Sequence, residues 1–125
     1  MIGTDADRPR LVLAYADAAQ AARQGRSFRR RGWEVHQTAS GVEARRLAAD
    51  LNPSLVILDT QLPDESGWLV CAKLRLEQPQ RKIVLVDPQL SPEKERLGEF
   101  IGASATVSRE ADATVLFPEE VSAVA

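Results

Sequence analysis

At 125 residues the chain is long enough to enclose one hydrophobic core without metal or disulfide support, so a single domain over residues 1–125 is expected. Its 44% hydrophobic and 27% charged content is ordinary globular usage, which speaks against disorder, and its apolar runs are too short to cross a bilayer. A net charge of −2 offers nucleic acid no overall attraction. The single cysteine, Cys71, excludes an internal disulfide and a thiolate metal cluster. Residues 1–10 lack the basic start, apolar stretch and cleavage site of a secretion signal, so a cytoplasmic location is expected.

Short β-branched or leucine-rich runs alternate with helical patterns at a spacing of roughly 20 residues, the signature of βα units around a parallel sheet. The first predicted strand covers residues 11–15 and leads into a helix rich in arginine, after which Gly32 supplies the left-handed turn. A strand over 34–38 follows. Ser40-Gly-Val-Glu43 has the form of a capping box, in which hydroxyl and carboxylate each satisfy an open amide. It opens a helix over 41–51 whose expected apolar stripe is Val42, Leu47 and Leu51. The run at 55–59 is continuously apolar up to Asp59, as a strand covered on both faces must be. The next strand is predicted over 82–86. Ser91-Pro92 then opens a helix running to about 101, with Ser as cap and Pro where a missing N–H costs nothing. Gly102 closes that helix, and the fifth strand is expected over 105–108. Pro118 cannot sit inside a helix, so a last helix should begin near it and be short.

Ligands and chemistry collect beyond the carboxyl ends of the strands in such sheets. The segment Leu55-Val-Ile-Leu-Asp-Thr-Gln-Leu-Pro-Asp-Glu-Ser-Gly67 ends a buried central strand in Asp59, with Pro63 four residues on and Gly67 eight on. With Gly32-Trp-Glu-Val35 and Gly102-Ala103, it resembles the receiver domain of bacterial response regulators over residues 10 to about 121. The resemblance implies a flavodoxin-like, three-layer (βα)5 fold with strand order 2-1-3-4-5. It also implies two-component phosphorelay signalling without an enzymatic activity of the domain's own, in which a histidine kinase delivers a phosphoryl group to Asp59. Family members assist that transfer with Mg2+ on an acidic pair closing the first strand, a hydroxyl ending the fourth, and a lysine ending the fifth.

Residue by residue, most of this apparatus is replaced. Ungapped counting places Tyr15 and Ala16 at the acidic pair, and neither binds Mg2+, leaving at most a weak site on one carboxylate. Asp17, one residue on, reads as a helix N-cap. Val86 falls at the hydroxyl position and has no donor. Arg109 stands for the lysine, keeping charge while changing geometry. Thr106 takes the place of the family's switch aromatic. The set suggests a pseudo-receiver that works through protein contacts with a histidine kinase, another signalling protein or a second copy of itself. The alternative is a working phosphoacceptor at Asp59. A direct Asp59–Arg109 ion pair in the space of metal and phosphate is the structural expectation.

Other features have plainer readings. Arg23, Arg26, Arg29, Arg30 and Arg31 crowd the first helix, and a solvated face accounts for most such runs. No helix-turn-helix, zinc finger or interleaved aromatic pattern supports nucleic-acid binding. Trp33, Trp68 and Cys71 read as core residues, and His36 has no ligand-forming company. Tyr-Ala-Asp-Ala-Ala stands where a glycine-rich phosphate loop would follow the first strand.

Overall fold

Nine elements alternate along residues 8–111, which the computed structural model describes. They are β1 (Arg10–Ala14), α1 (Ala18–Arg30), β2 (Glu34–Thr38), α2 (Gly41–Leu51), β3 (Leu55–Asp59), α3 (Gly67–Glu77), β4 (Ile83–Asp87), α4 (Pro92–Ile101) and β5 (Ala105–Ser108). The strands form one parallel sheet in the order β2-β1-β3-β4-β5, which is the expected α/β arrangement. Pro118 and the short last helix expected there lie outside the described residues.

Side chains of a strand alternate between faces, so one sheet feeds two cores. Leu11, Leu13, Leu55, Ile57, Val84 and Val86 pack with Ala21 and Phe28 of α1 and with Trp33. Val12, Ala14, Val56, Leu58, Ile83 and Leu85 pack on the other face, with Ala44 and Ala48 of α2 and Val70, Cys71 and Leu74 of α3. All five residues of β3 and of β4 are buried. Trp33 is 1% exposed and meets the Phe28 ring edge-on. Trp68 lies partly buried against the second core.

Four expectations are corrected. β1 ends at Ala14 rather than Tyr15, although the Tyr15 N–H still donates to the Thr38 carbonyl. β4 ends at Asp87, not Val86, because Asp87 keeps its register with Ser108 of β5. Val42 is 55% exposed, and α2 turns its small residues Gly41, Ala44 and Ala48 inward, with Leu47 and Leu51 partly buried. The capping box is also half made. The Ser40 hydroxyl accepts from the Glu43 N–H, but the Glu43 carboxylate turns to Arg46 and the Ser40 N–H donates to Thr38 Oγ1. Gly32 and Gly102 do take left-handed backbone, at φ of 92° and 100°.

Candidate functional site

Asp59 ends the central strand with its side chain only 1% exposed, a placement a carboxylate tolerates when its oxygens are hydrogen-bonded and its charge is countered. Both conditions hold. Arg109 Nη2 donates to Asp59 Oδ1 over 2.8 Å, the Gln61 N–H donates to the same oxygen over 3.0 Å, and the Ala16 N–H reaches Oδ2 over 3.3 Å. Arg109 follows β5 directly, and its N–H donates to the Asp87 carbonyl, which draws the start of its side chain toward the sheet. Its side chain is 19% exposed and touches Gln61 Oε1 at 3.3 Å. The expected ion pair is therefore present.

Tyr15 is fully buried, and its hydroxyl has no hydrogen-bond partner among the described residues. Burial, and then the Asp59 carboxylate, push its phenol well above the usual range, against the opposing pull of Arg109 and Arg23. Ala16 offers the site only its amide. Asp17 Oδ1 accepts from the N–H groups of Ala19 and Gln20, so this carboxylate caps α1. Thr106 is partly buried and rests against Gly98 of α4, where an added Cβ would collide with its hydroxyl.

The corrected end of β4 changes the chemistry next to Asp59. Val86 belongs to the core on the α1 side, and the residue closing the strand is Asp87, 2% exposed. Thr60 Oγ1 donates to Asp87 Oδ1 over 2.5 Å, and Lys94 Nζ of α4 lies 2.8 Å from Oδ2. The Gln89 N–H donates to that same Oδ2. Burial would raise the Asp87 carboxyl, but the bonds from Lys94 and Thr60 outweigh it and hold the group below its usual value of 3.8. A second ion pair thus stands beside the first, with its carboxylate buried, its lysine 37% exposed and a threonine hydroxyl attached to it. The sequence reading missed Asp87, Thr60, Lys94 and Gln61. One signal was available, since Val84 and Val86 share a face at period two and the next residue had still to complete the strand.

Two further contacts set the loop after Asp59. Gly67 brings the start of α3 hard against the strand end: a Cβ there would collide with the Asp59 carbonyl oxygen and come within 2.9 Å of Thr60 Cα. At the loop's far side, Asp64 accepts from the Ser40 hydroxyl and from the N–H groups of Gly41, Val42 and Glu65. The Ser40 bond foremost, and the amide of Gly41 next, hold the Asp64 carboxyl far below the usual carboxylate range. This carboxylate takes the Gly41 and Val42 amides, which neither Ser40 nor Glu43 serves, at the positive end of the α2 dipole.

These donors fit Mg2+ poorly. An octahedral cation needs several hard oxygens, and the site has one carboxylate already bonded to a guanidinium. Tyr15 and Ala16 after β1 offer a phenol and a methyl group, the Asp17 carboxylate is committed to its helix cap, and that of Asp87 is held by Lys94 and Thr60.

A family model for the response regulator receiver domain matches residues 14–117. Among curated proteins, the DNA-binding dual master transcriptional regulator RpaA of Synechocystis sp. is 31% identical over 70 residues, 56% of this chain and 29% of that protein. The polar-differentiation response regulator DivK of Brucella ovis is 38% identical over 55 residues, 44% of this chain and 45% of that protein. The matches thus span less than half the length of these relatives. The CheY-like receiver domain protein of Methanospirillum hungatei JF-1 superposes with a TM-score of 0.83 at 20% identity, over 94% of each chain. CheY4 of Vibrio cholerae gives 0.82 at 19% identity, over 94% of this chain and 99% of that one. At such identities the superpositions speak for the fold alone. The sheet order, the acidic end of β3 and the span of the family match agree, and the chain belongs to the response regulator receiver domain family of two-component signalling.

Proposed function

We propose that this receiver domain acts as a phosphorylation-independent protein-interaction module, with Arg109 serving as a permanent counter-charge to Asp59. The observation that carries the reading is the 2.8 Å contact between Arg109 Nη2 and Asp59 Oδ1, made by a carboxylate 1% exposed. A phosphodonor must reach an Asp59 oxygen, and each is already held by a donor. Charge gathering on a transferred phosphoryl group also needs preorganised cations and donors. Here the acidic pair is replaced by Tyr15 and Ala16, the β4 end carries the acid Asp87 in place of a hydroxyl, and Thr106 replaces the switch aromatic. A fixed surface then meets its partners, which are a histidine kinase or another signalling protein of the same pathway. On this reading the domain has no enzymatic activity of its own, offers Mg2+ at most a weak site and works in the cytoplasm. Among the described residues no helix is long and apolar enough to cross a membrane.

The test is incubation with Mg2+ and acetyl phosphate, read by intact mass. The expected outcome is an unchanged mass. A stable phosphoryl increment that disappears in Asp59→Asn overturns the reading in favour of a working phosphoacceptor.

A further inference from the structure

Helix α3 is apolar on both of its long faces. Val70, Cys71 and Leu74 enter the core. On the opposite side Leu69, Ala72 and Leu76 form an outward stripe, in which Leu69 is 46% and Leu76 84% exposed. These two leucines stand two turns apart, about 10 Å along the axis. A helix that is apolar all round is normally buried all round, and the core covers only one side of this one.

The charged side chains of α3 are drawn off the stripe. Lys73 reaches Glu65 and Glu77 reaches Arg45 of α2, while Arg75 turns to the carbonyls of Gly102 and Pro79. Polar contacts thus clear the apolar surface instead of shielding it.

The border of the stripe is electrically balanced. On α2, Arg46 pairs with Glu43 and Asp50, and Arg45 with Glu65 and Glu77. A face so neutralised selects no sign of charge, which disfavours nucleic acid, an acidic helix or an anionic lipid surface as its occupant. A second copy turned about a two-fold axis brings the same balanced border and meets no single-sign field. Helix α4 also exposes Leu97 and Phe100. There, however, Glu93, Glu95 and Glu99 face solvent beside Arg96, so two copies meeting on α4 would set like charges together.

We propose that a second copy of this chain covers the outward stripe of α3, with the two helices antiparallel so that Leu69 of each meets Leu76 of the other. This arrangement sets large side chains against each other at both ends and leaves the small Ala72 near the crossing, where the helices approach most closely. The proposal rests on the interaction-module reading and names its surface and partner.

The experiment uses the full chain. Sedimentation over a concentration series should show a monomer–dimer equilibrium, and amide resonances of 15N-labelled protein should shift with concentration along α3. In a mixture of 13C-labelled and unlabelled copies, isotope-filtered NOE contacts should join Leu69 methyls to Leu76 methyls. Each substitution acts twice in a two-fold pair, so Leu76→Ser should raise the dissociation constant about a hundredfold, tenfold for each leucine that would have been covered. Leu69→Ser should weaken the pair in the same direction. Both variants should keep their far-ultraviolet circular dichroism, since each side chain faces solvent in the single copy. Phe100→Ser should leave the dimer intact, and so should salt, because the contact is apolar. A monomer at every concentration, shifts mapped away from α3, a dimer lost in Phe100→Ser but kept in Leu76→Ser, dispersal by salt, or capture of the stripe by phosphatidylserine vesicles in preference to a second copy would each overturn the proposal. Incubation with acetyl phosphate separates the two readings. A dimer that takes up a phosphoryl group refutes the phosphorylation-independent reading alone, and an unmodified monomer refutes the α3 pairing alone.

Discussion

Replacing Arg109 with methionine removes the cation that faces Asp59 and keeps much of the side-chain volume. Asp59 would then be a carboxylate 1% exposed, held only by the amides of Ala16 and Gln61. Breaking a fully buried pair costs about 3–5 kcal/mol and an exposed one about 0–1 kcal/mol. Arg109 is itself 19% exposed, so water can partly replace it, and about 2.5 kcal/mol of lost stability is expected for Arg109→Met. Asp59→Asn removes the charge, keeps one accepting oxygen and leaves a guanidinium that can turn toward solvent, for about 1.5 kcal/mol. The double variant should cost about 2.5 kcal/mol rather than the sum, a coupling of about 1.5 kcal/mol. Urea unfolding measures this, since a slope near 1.25 kcal/mol per molar turns 2.5 kcal/mol into a midpoint about 2 M lower. Additive losses, with a coupling below about 0.5 kcal/mol, would show that the 2.8 Å contact is geometric only and would remove the physical basis of the counter-charge argument.

Tyr15 is the only tyrosine, so absorbance near 295 nm reports it alone. Its folded phenol ionises above the usual 10.0, and its stabilising contribution is therefore full below that pH and lost as pH rises past it. Tyrosinate should appear only with alkaline unfolding, and a reversible titration near pH 10 in the folded protein would contradict the burial. Asp87 works in the opposite direction. Its folded carboxyl lies below 3.8, so its contribution is present above that pH and lost as pH falls through the folded value. The stability gap between the native chain and Asp87→Asn should close as pH drops below about 4, and a pH-independent gap would count against the ion pair with Lys94. Gly67→Ala should lose about 1–3 kcal/mol by overpacking against the Asp59 carbonyl. An unchanged melting temperature would mean that α3 can draw back from the strand end.

The architecture was legible because its determinants are local. A continuous apolar run such as Leu55–Asp59 can only be a strand covered on both faces, and Ser91-Pro92 and Gly102 mark the two ends of α4 from single residues. The site was legible only as far as it follows chain order. Asp59 and Arg109 could be placed, and so brought together, by counting from strand ends. Asp87 escaped because Asp-Pro reads as the start of a turn, yet its backbone still pairs with Ser108. Thr60, Lys94 and Asp64 escaped because their partners come from other elements, and no spacing rule links Asp64 to an amide 23 positions away. Val42 was placed inside by its hydrophobicity, whereas the tight approach of Gly41 to the Glu65 carbonyl turns α2 so that Ala44 and Ala48 face the sheet.

The clamp made by Asp64 has a dynamic meaning. Its carboxylate joins the loop after Asp59 to the start of α2 through three hydrogen bonds, from the Ser40 hydroxyl and the N–H groups of Gly41 and Val42, and takes a fourth from Glu65 of the loop itself, so that loop cannot swing open without uncapping the helix. Segment 60–66 and α2 therefore form one cooperative unit for local opening. The amides of Gly41, Val42 and Glu65 should exchange with solvent deuterium at a common rate, and Asp64→Ala should accelerate all three together.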